Sequence, residues 1–356
     1  MMKQISRFEP NHDDLVHSLS YDFYGTKLAS CSTDQKIKVY SFNSTKLSWV
    51  LSESWKAHEA TILKVCWAHP EFGTIIASCS ADRTVRIFEE TLVEHNYNNL
   101  SGTTNNKRWV ERAKLIESRG PVMDIQFAPS HLGLKLATVS CDGYVRIYEA
   151  MDVINLNNWS CMEEIPIENI PTNKEGFQEG LCLAWCHSKF CSPQIAVGCG
   201  PDNCVKLLRS DQSTNGKFQF KEKLFDHEGP VHSVSWAPNF GRSFELIATG
   251  SKDTKVRLFK LFDPTYYASN SESTLNYEID IIASFSEHSM EVWKVEFNIL
   301  GTILASSGDD GKVLLYKASH GVDWKCMSII SSDTNQQPPN PMSSINHNNG
   351  FDITQE

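Results

Sequence analysis

The sequence predicts an all-β fold, a propeller of six four-stranded blades whose ring is expected to stay open between units one and six, the alternative being closure by face packing alone. Three observations carry this. Short runs of alternating apolar and polar residues, separated by polar turns, recur along the 356 residues and sort into six groups of four. An aspartate opens a tight turn at the same place in each group: Asp34, Asp82, Asp142, Asp202, Asp253 and Asp310. The sixth group supplies its own fourth strand, so no terminal strand is left over to latch the last group onto the first.

Residues 1–11 form a polar lead with Pro10 and no clear alternation. The propeller is expected over 12–331. The first unit reads LVHSLSYDF, KLASCST, KIKVYSF and LSWVLSESW, four strand-like runs in order. The second repeats it as ILKVCWAHP, TIIASCSA, TVRIFEE and WVERAKLIES. VMDIQFAPS, KLATVSC, YVRIYEA and WSCMEEIPIE make the third, and LCLAWCHS, QIAVGCG, CVKLLRS and FQFKEKLF the fourth. The fifth has VHSVSWAPN, ELIATGS, KVRLFKL and NYEIDIIASF. The sixth closes with VWKVEFNIL, TILASSG, KVLLYKA and WKCMSIIS. Spacings between the aspartates of 48, 60, 60, 51 and 57 exceed the bare repeat of about 40–45 residues. The excess falls in polar stretches at 91–107, 169–180 and 263–276, which read as surface loops. Residues 332–356, rich in Asn, Gln, Ser and Pro, read as a disordered tail.

Composition narrows the function. A formal net charge of -10 and singly scattered Lys and Arg disfavour an electrostatic hold on nucleic acid or an anionic membrane. No run of eighteen apolar residues reads as a membrane span. The first residues, MMKQISRFEPNHDD, hold no apolar core of the length a secretory signal needs, so cytosol or nucleus is expected. The eleven cysteines then read as reduced, small apolar side chains. Unit four gathers Cys182, Cys186, Cys191, Cys199 and Cys204 with His187, yet no pair is spaced C-x2-C, so structural thiols are favoured over zinc. His58-Glu59 and His227-Glu228 open like a metalloprotease motif, but Ile62 and Val231 stand where its second histidine belongs. No glycine-rich phosphate loop is present. No cofactor is expected.

Each aspartate brings companions at fixed offsets. Four residues before it lie Ser30, Ser78, Thr138, Gly198, Thr249 and Ser306; six after it lie Tyr40, Phe88, Tyr148, Leu208, Phe259 and Tyr316. His12, His58, His227 and His288 precede Leu19, Val65, Val234 and Val295 by seven, while Ser118 and Gly176 hold the place in units three and four. A His, a hydroxyl and a carboxylate could be hydrolytic machinery. Catalysis needs such a set once, and this one recurs. It suits a buried hydrogen-bond chain that fixes turn to strand in each blade.

This pattern resembles the tetrad of the WD-repeat propeller family, with Tyr or Phe mostly replacing the usual Trp. The strings WAHPEFGTIIASCSADRTVRIFEE, FAPSHLGLKLATVSCDGYVRIYEA, WAPNFGRSF and GTILASSGDDGKVLLYKA resemble, within that family, the Seh-type nucleoporins, near relatives of the Sec-thirteen vesicle-coat propeller. HDDLVHSLSYDFYG and WKCMSII fit the same group. Unit four departs from it at Gly176, Gly198 and Leu208. The resemblance implies a non-enzymatic scaffold subunit of the Y-shaped nuclear pore subcomplex, supporting pore assembly, mRNA export and protein transport. It also implies membership of a SEA/GATOR-type nutrient-signalling complex at the vacuolar or lysosomal membrane, and a helical scaffold nucleoporin that donates a seventh blade in trans. A vesicle-coat propeller is the nearest alternative; a six-bladed hydrolase and a ubiquitin-ligase substrate adaptor are alternatives of other classes.

An open ring exposes apolar blade faces, which pairing with another chain would cover. Strand alternation places the partner blade against Val16, Ser18 and Leu28 on one side and Trp293, Val295 and Leu304 on the other.

Overall fold

Five of the six hairpins form because an aspartate side chain closes the turn, while in the fourth sheet a 3-10 turn over Gly200–Asp202 does so. Asp82 Oδ1 accepts the backbone N–H of Thr84 at 3.0 Å, and Asp34, Asp142, Asp253 and Asp310 do the same for Lys36, Tyr144, Lys255 and Lys312. This is the Asx turn, which lets the next residue adopt a left-handed backbone. Gln35, Arg83, Asn203 and Thr254 have φ between 50° and 70°, while Gly143 and Gly311 meet the same demand without a Cβ.

The computed structural model describes residues 8–92, 107–167, 180–189, 191–210, 216–262, 277–319 and 323–331. The expected tail and most of the three expected surface loops lie outside these residues. Among the described residues, twenty-four strands make six antiparallel four-stranded sheets, each in simple sequence order. The first sheet holds β1 (Val16–Tyr21), β2 (Lys27–Ser32), β3 (Lys36–Asn43) and β4 (Ser48–Lys56). The second holds β5 (Ile62–Trp67), β6 (Ile75–Ser80), β7 (Val85–Leu92) and β8 (Lys107–Leu115). β9 (Val122–Phe127), β10 (Lys135–Ser140), β11 (Tyr144–Ala150) and β12 (Trp159–Pro166) form the third. In the fourth are β13 (Leu183–Trp185), β14 (Gln194–Cys199), β15 (Cys204–Ser210) and β16 (Phe218–Leu224). The fifth has β17 (Val231–Trp236), β18 (Glu245–Ser251), β19 (Val256–Phe262) and β20 (Glu278–Phe285). β21 (Val292–Phe297), β22 (Ile303–Gly308), β23 (Lys312–Ala318) and β24 (Trp324–Ser331) complete the sixth.

A bulge recurs in each third-to-fourth strand pairing, for example between Ile87 and Phe88, and adds the twist a propeller blade needs. The innermost strands pack in the order β1, β5, β9, β13, β17, β21. Alternation puts one set of each sheet's side chains against the preceding sheet and the other set against the following one. Ala29, Cys31, Ile37 and Val39 of sheet one therefore meet Ile62, Val65, Ile76 and Phe88 of sheet two. Four more cores repeat this between sheets two and three, three and four, four and five, and five and six. Full burial of a side chain such as Val85 stabilises by about 1.5–3 kcal/mol.

Candidate functional site

The recurring polar set comes first, because its connectivity is that of a catalytic triad. His58 Nδ1 lies 2.9 Å from Asp82 Oδ2 and His58 Nε2 lies 2.8 Å from Ser78 Oγ. The same bonds join His12 to Asp34 and Ser30, His227 to Asp253 and Thr249, and His288 to Asp310 and Ser306. With Nδ1 protonated, the imidazole donates to the carboxylate and accepts from the hydroxyl. Each carboxylate also accepts the backbone N–H that follows the histidine, at Asp13, Glu59, Glu228 and Ser289. Burial opposes the charge on Asp82 and Asp253, but hydrogen bonds from His58 and Thr84, and from His227 and Arg257, hold both well below the usual carboxylate range. Ser78 and Thr249 are fully buried, so no substrate can reach the hydroxyl. The aromatics Tyr40, Phe88, Phe259 and Tyr316 are buried in their sheets. The set ties the loop before β5 to the β6–β7 turn.

Units three and four lack the histidine, and an unforeseen residue takes its place. In unit three Arg146, four after the aspartate, lies 2.8 Å from Asp142 through Nη2, donates to Ser140 and Ser118, and pairs with Glu164. Thr138 keeps a buried hydroxyl with no hydrogen-bond partner, since no imidazole reaches it. Tyr148 donates to Glu117 at 3.2 Å. Lys206 occupies the same offset in unit four, 3.2 Å from Asp202. Gly198 is explained by crowding, because a Cβ there would stand 2.5 Å from Cys182 Sγ. Gly176 lies outside the described residues. A cation four residues after the aspartate was the legible signal.

The ring differs from itself at one place. Among the described residues no sixth core joins sheet six to sheet one, and β21 does not pack on β1 as the other innermost strands pack on their neighbours. Leu19 holds the place of Val65 and Val295, which are each 1% exposed, yet Leu19 is 61% exposed. Tyr21 stands 59% exposed where Trp236 is 2%. On sheet six, Val313 and Ile330 are 36% and 43% exposed, against 2% and 6% for Val85 and Leu115 in the second sheet. Ala305, Ser307 and Leu315 share that face and are only half-buried. These two faces form the candidate site, an open apolar seam.

Of the six residues expected there, the structure puts only some on it. Val16 lies on the open face of sheet one and is exposed; Leu28 lies on the same face but is buried. Ser18 pairs with Cys31 and so faces sheet two. Val295 and Leu304 belong to the core between sheets five and six, and cannot meet a partner. Trp293 is half exposed and stacks on His232 of sheet five, 4.3 Å between ring centroids. The correction has a physical cause. Alternation says which residues share a face but not which neighbour that face meets, and the irregularity between Val292 and Lys294 shifts the count by one.

None of the eleven cysteines is in a disulfide, and burial pushes the Cys31, Cys66 and Cys182 thiols up to about 12, where they are inert. Among the described residues no group of three or more His, Cys, Asp or Glu could hold a metal ion.

The family described as "WD domain, G-beta repeat" matches at residues 2–41, 49–89, 218–260 and 279–317. Those segments contain the four units with a histidine. Over longer spans the chain is similar to Nucleoporin seh1 of Schizosaccharomyces pombe, 41% identical over 336 residues, covering 91% of this chain and 95% of the relative. Nucleoporin SEH1 of Homo sapiens is 41% identical over 329 residues, covering 91% and 87%. Nucleoporin SEH1 of Saccharomyces cerevisiae is 36% identical over 356 residues, covering 91% and 99%.

Proposed function

The chain belongs to the SEH1 nucleoporin family of WD40-repeat propellers, and on that premise we propose that it is a structural subunit of the nuclear pore scaffold. The observation that carries the reading is the open seam. Two sheet faces that every other blade buries stand exposed on either side of one gap. A helical scaffold nucleoporin that inserts a blade there would remove apolar surface from water on both faces, each Å² contributing about 25 cal/mol before the cost of association. The four tetrads, with the Arg146–Asp142 and Lys206–Asp202 pairs of units three and four, keep the blades rigid, so the gap is presented preformed. The protein then works as an adaptor in the Y-shaped subcomplex at the nuclear envelope, where it supports pore assembly, mRNA export and protein transport. The same seam serves membership of a SEA/GATOR-type nutrient-signalling complex at the vacuolar or lysosomal periphery. Both roles need a partner blade and neither needs catalysis.

The test is affinity purification of the tagged chain with identification of stoichiometric partners. A helical scaffold nucleoporin is expected with the wild type and lost with Leu19→Asp. Recovery of a vesicle-coat scaffold in its place, or no loss with Leu19→Asp, would overturn the assignment.

A further inference from the structure

The outer half of the open face on sheet one is not bare. Phe8 of the N-terminal lead lies with its ring centroid 5.0 Å from that of Tyr40 and 6.3 Å from that of Trp49. The corresponding residues of sheet two are Phe88 and Trp109, by their places in the strand pairings. Those two are covered by Trp55 of β4, the outermost strand of the preceding blade, at 5.4 and 5.6 Å. Phe8 thus stands where an outermost-strand aromatic of a preceding blade would stand. The end of the lead, at Pro10 and Asn11, is tied down by dedicated bonds. Tyr40 Oη donates to the Pro10 carbonyl at 2.8 Å, and the buried Lys38 ammonium donates to the carbonyls of Pro10, at 3.2 Å, and Asn11. Lys38 is the residue four after Asp34, the offset at which Arg146, Lys206 and Arg257 bind their aspartates. In the second sheet the cation at this offset, Arg86, pairs with Glu111 instead, and in the first it is given over to the lead. The inner half of the face, with Val16, Leu19 and Tyr21, stays exposed.

We propose that the lead is a built-in part of the seam: Phe8 supplies the outer-strand cover of the first sheet, and an incoming partner blade packs on the inner half beside it. This rests on the reading of the seam as the partner site. The lead and the partner share one face and bind cooperatively, so loss of Phe8 weakens partner binding. A displaceable strap would behave in the opposite way.

The experiment titrates the full chain with the separately purified helical scaffold nucleoporin by biolayer interferometry, comparing wild type, Phe8→Ala, Phe8→Trp and Val313→Asp. Melting curves of each variant alone check folding. Phe8→Ala is expected to weaken binding by about ten-fold, a loss of about 1.4 kcal/mol, with Phe8→Trp near the wild type. Unchanged or tighter binding by Phe8→Ala, while Val313→Asp still abolishes binding, overturns the role of the lead and leaves the seam reading intact. Wild-type binding that neither Phe8→Ala nor Val313→Asp disturbs, or no binding by the wild type, overturns both.

Discussion

At the scale of single residues, each blade depends on one carboxylate with several donors. His58→Ala removes the imidazole between Asp82 and Ser78 and leaves the fully buried Ser78 hydroxyl without its partner, while Asp82 keeps its bonds from Thr84 and Glu59. A loss of about 1–3 kcal/mol is expected, read as a lower midpoint in urea denaturation with unchanged slope. Arg146→Met should cost more, about 3–5 kcal/mol, because Asp142 keeps its charge and loses its cation. Gly198→Ser should destabilise through the clash with Cys182, and Cys182→Ala should recover part of that loss. The acid limit follows from sign. Asp34, Asp82, Asp142, Asp253 and Asp310 all have native values below the ordinary 3.8. The unfolded chain binds these protons first, so their stabilisation is complete above about pH 5 and is lost progressively as pH falls below that. Midpoints measured from pH 7 to pH 3 should be flat down to about pH 5 and then fall steeply.

At the scale of strands and sheets, the sequence carries most of the fold because each element repeats. Alternation, the turn aspartate and the aromatic six residues on are local signals, and six copies average out the noise of any one. Legibility fails where a residue's meaning depends on a neighbour. Leu19 and Val65 occupy the same place in their units, and only the packing reveals that one is bare and the other buried. Val295 and Leu304 hold the places of Leu19 and Leu28 in their unit, yet their face meets sheet five. Arg146 is legible as a tetrad member only through its offset, a cation four residues after Asp142 in a unit without the histidine. The same comparison yields a prediction. Val313→Asp and Leu19→Asp should change the stability of the isolated chain by no more than about 0.5 kcal/mol, whereas Val85→Asp, the same change within a core, should unfold it. Thermal melts of the three variants check this.

At the scale of the whole molecule, five cores hold six sheets among the described residues, and a propeller closed on itself would have as many cores as sheets. The most direct measurement is hydrogen exchange by mass spectrometry on the chain alone and with its helical scaffold partner. Slower exchange is expected in peptides covering 15–24 and 312–331, with little change at 75–80, whose sheet is already enclosed. Protection that appears elsewhere, on the turns around Asp82 or Asp253 for example, with the seam peptides unchanged, would contradict the account.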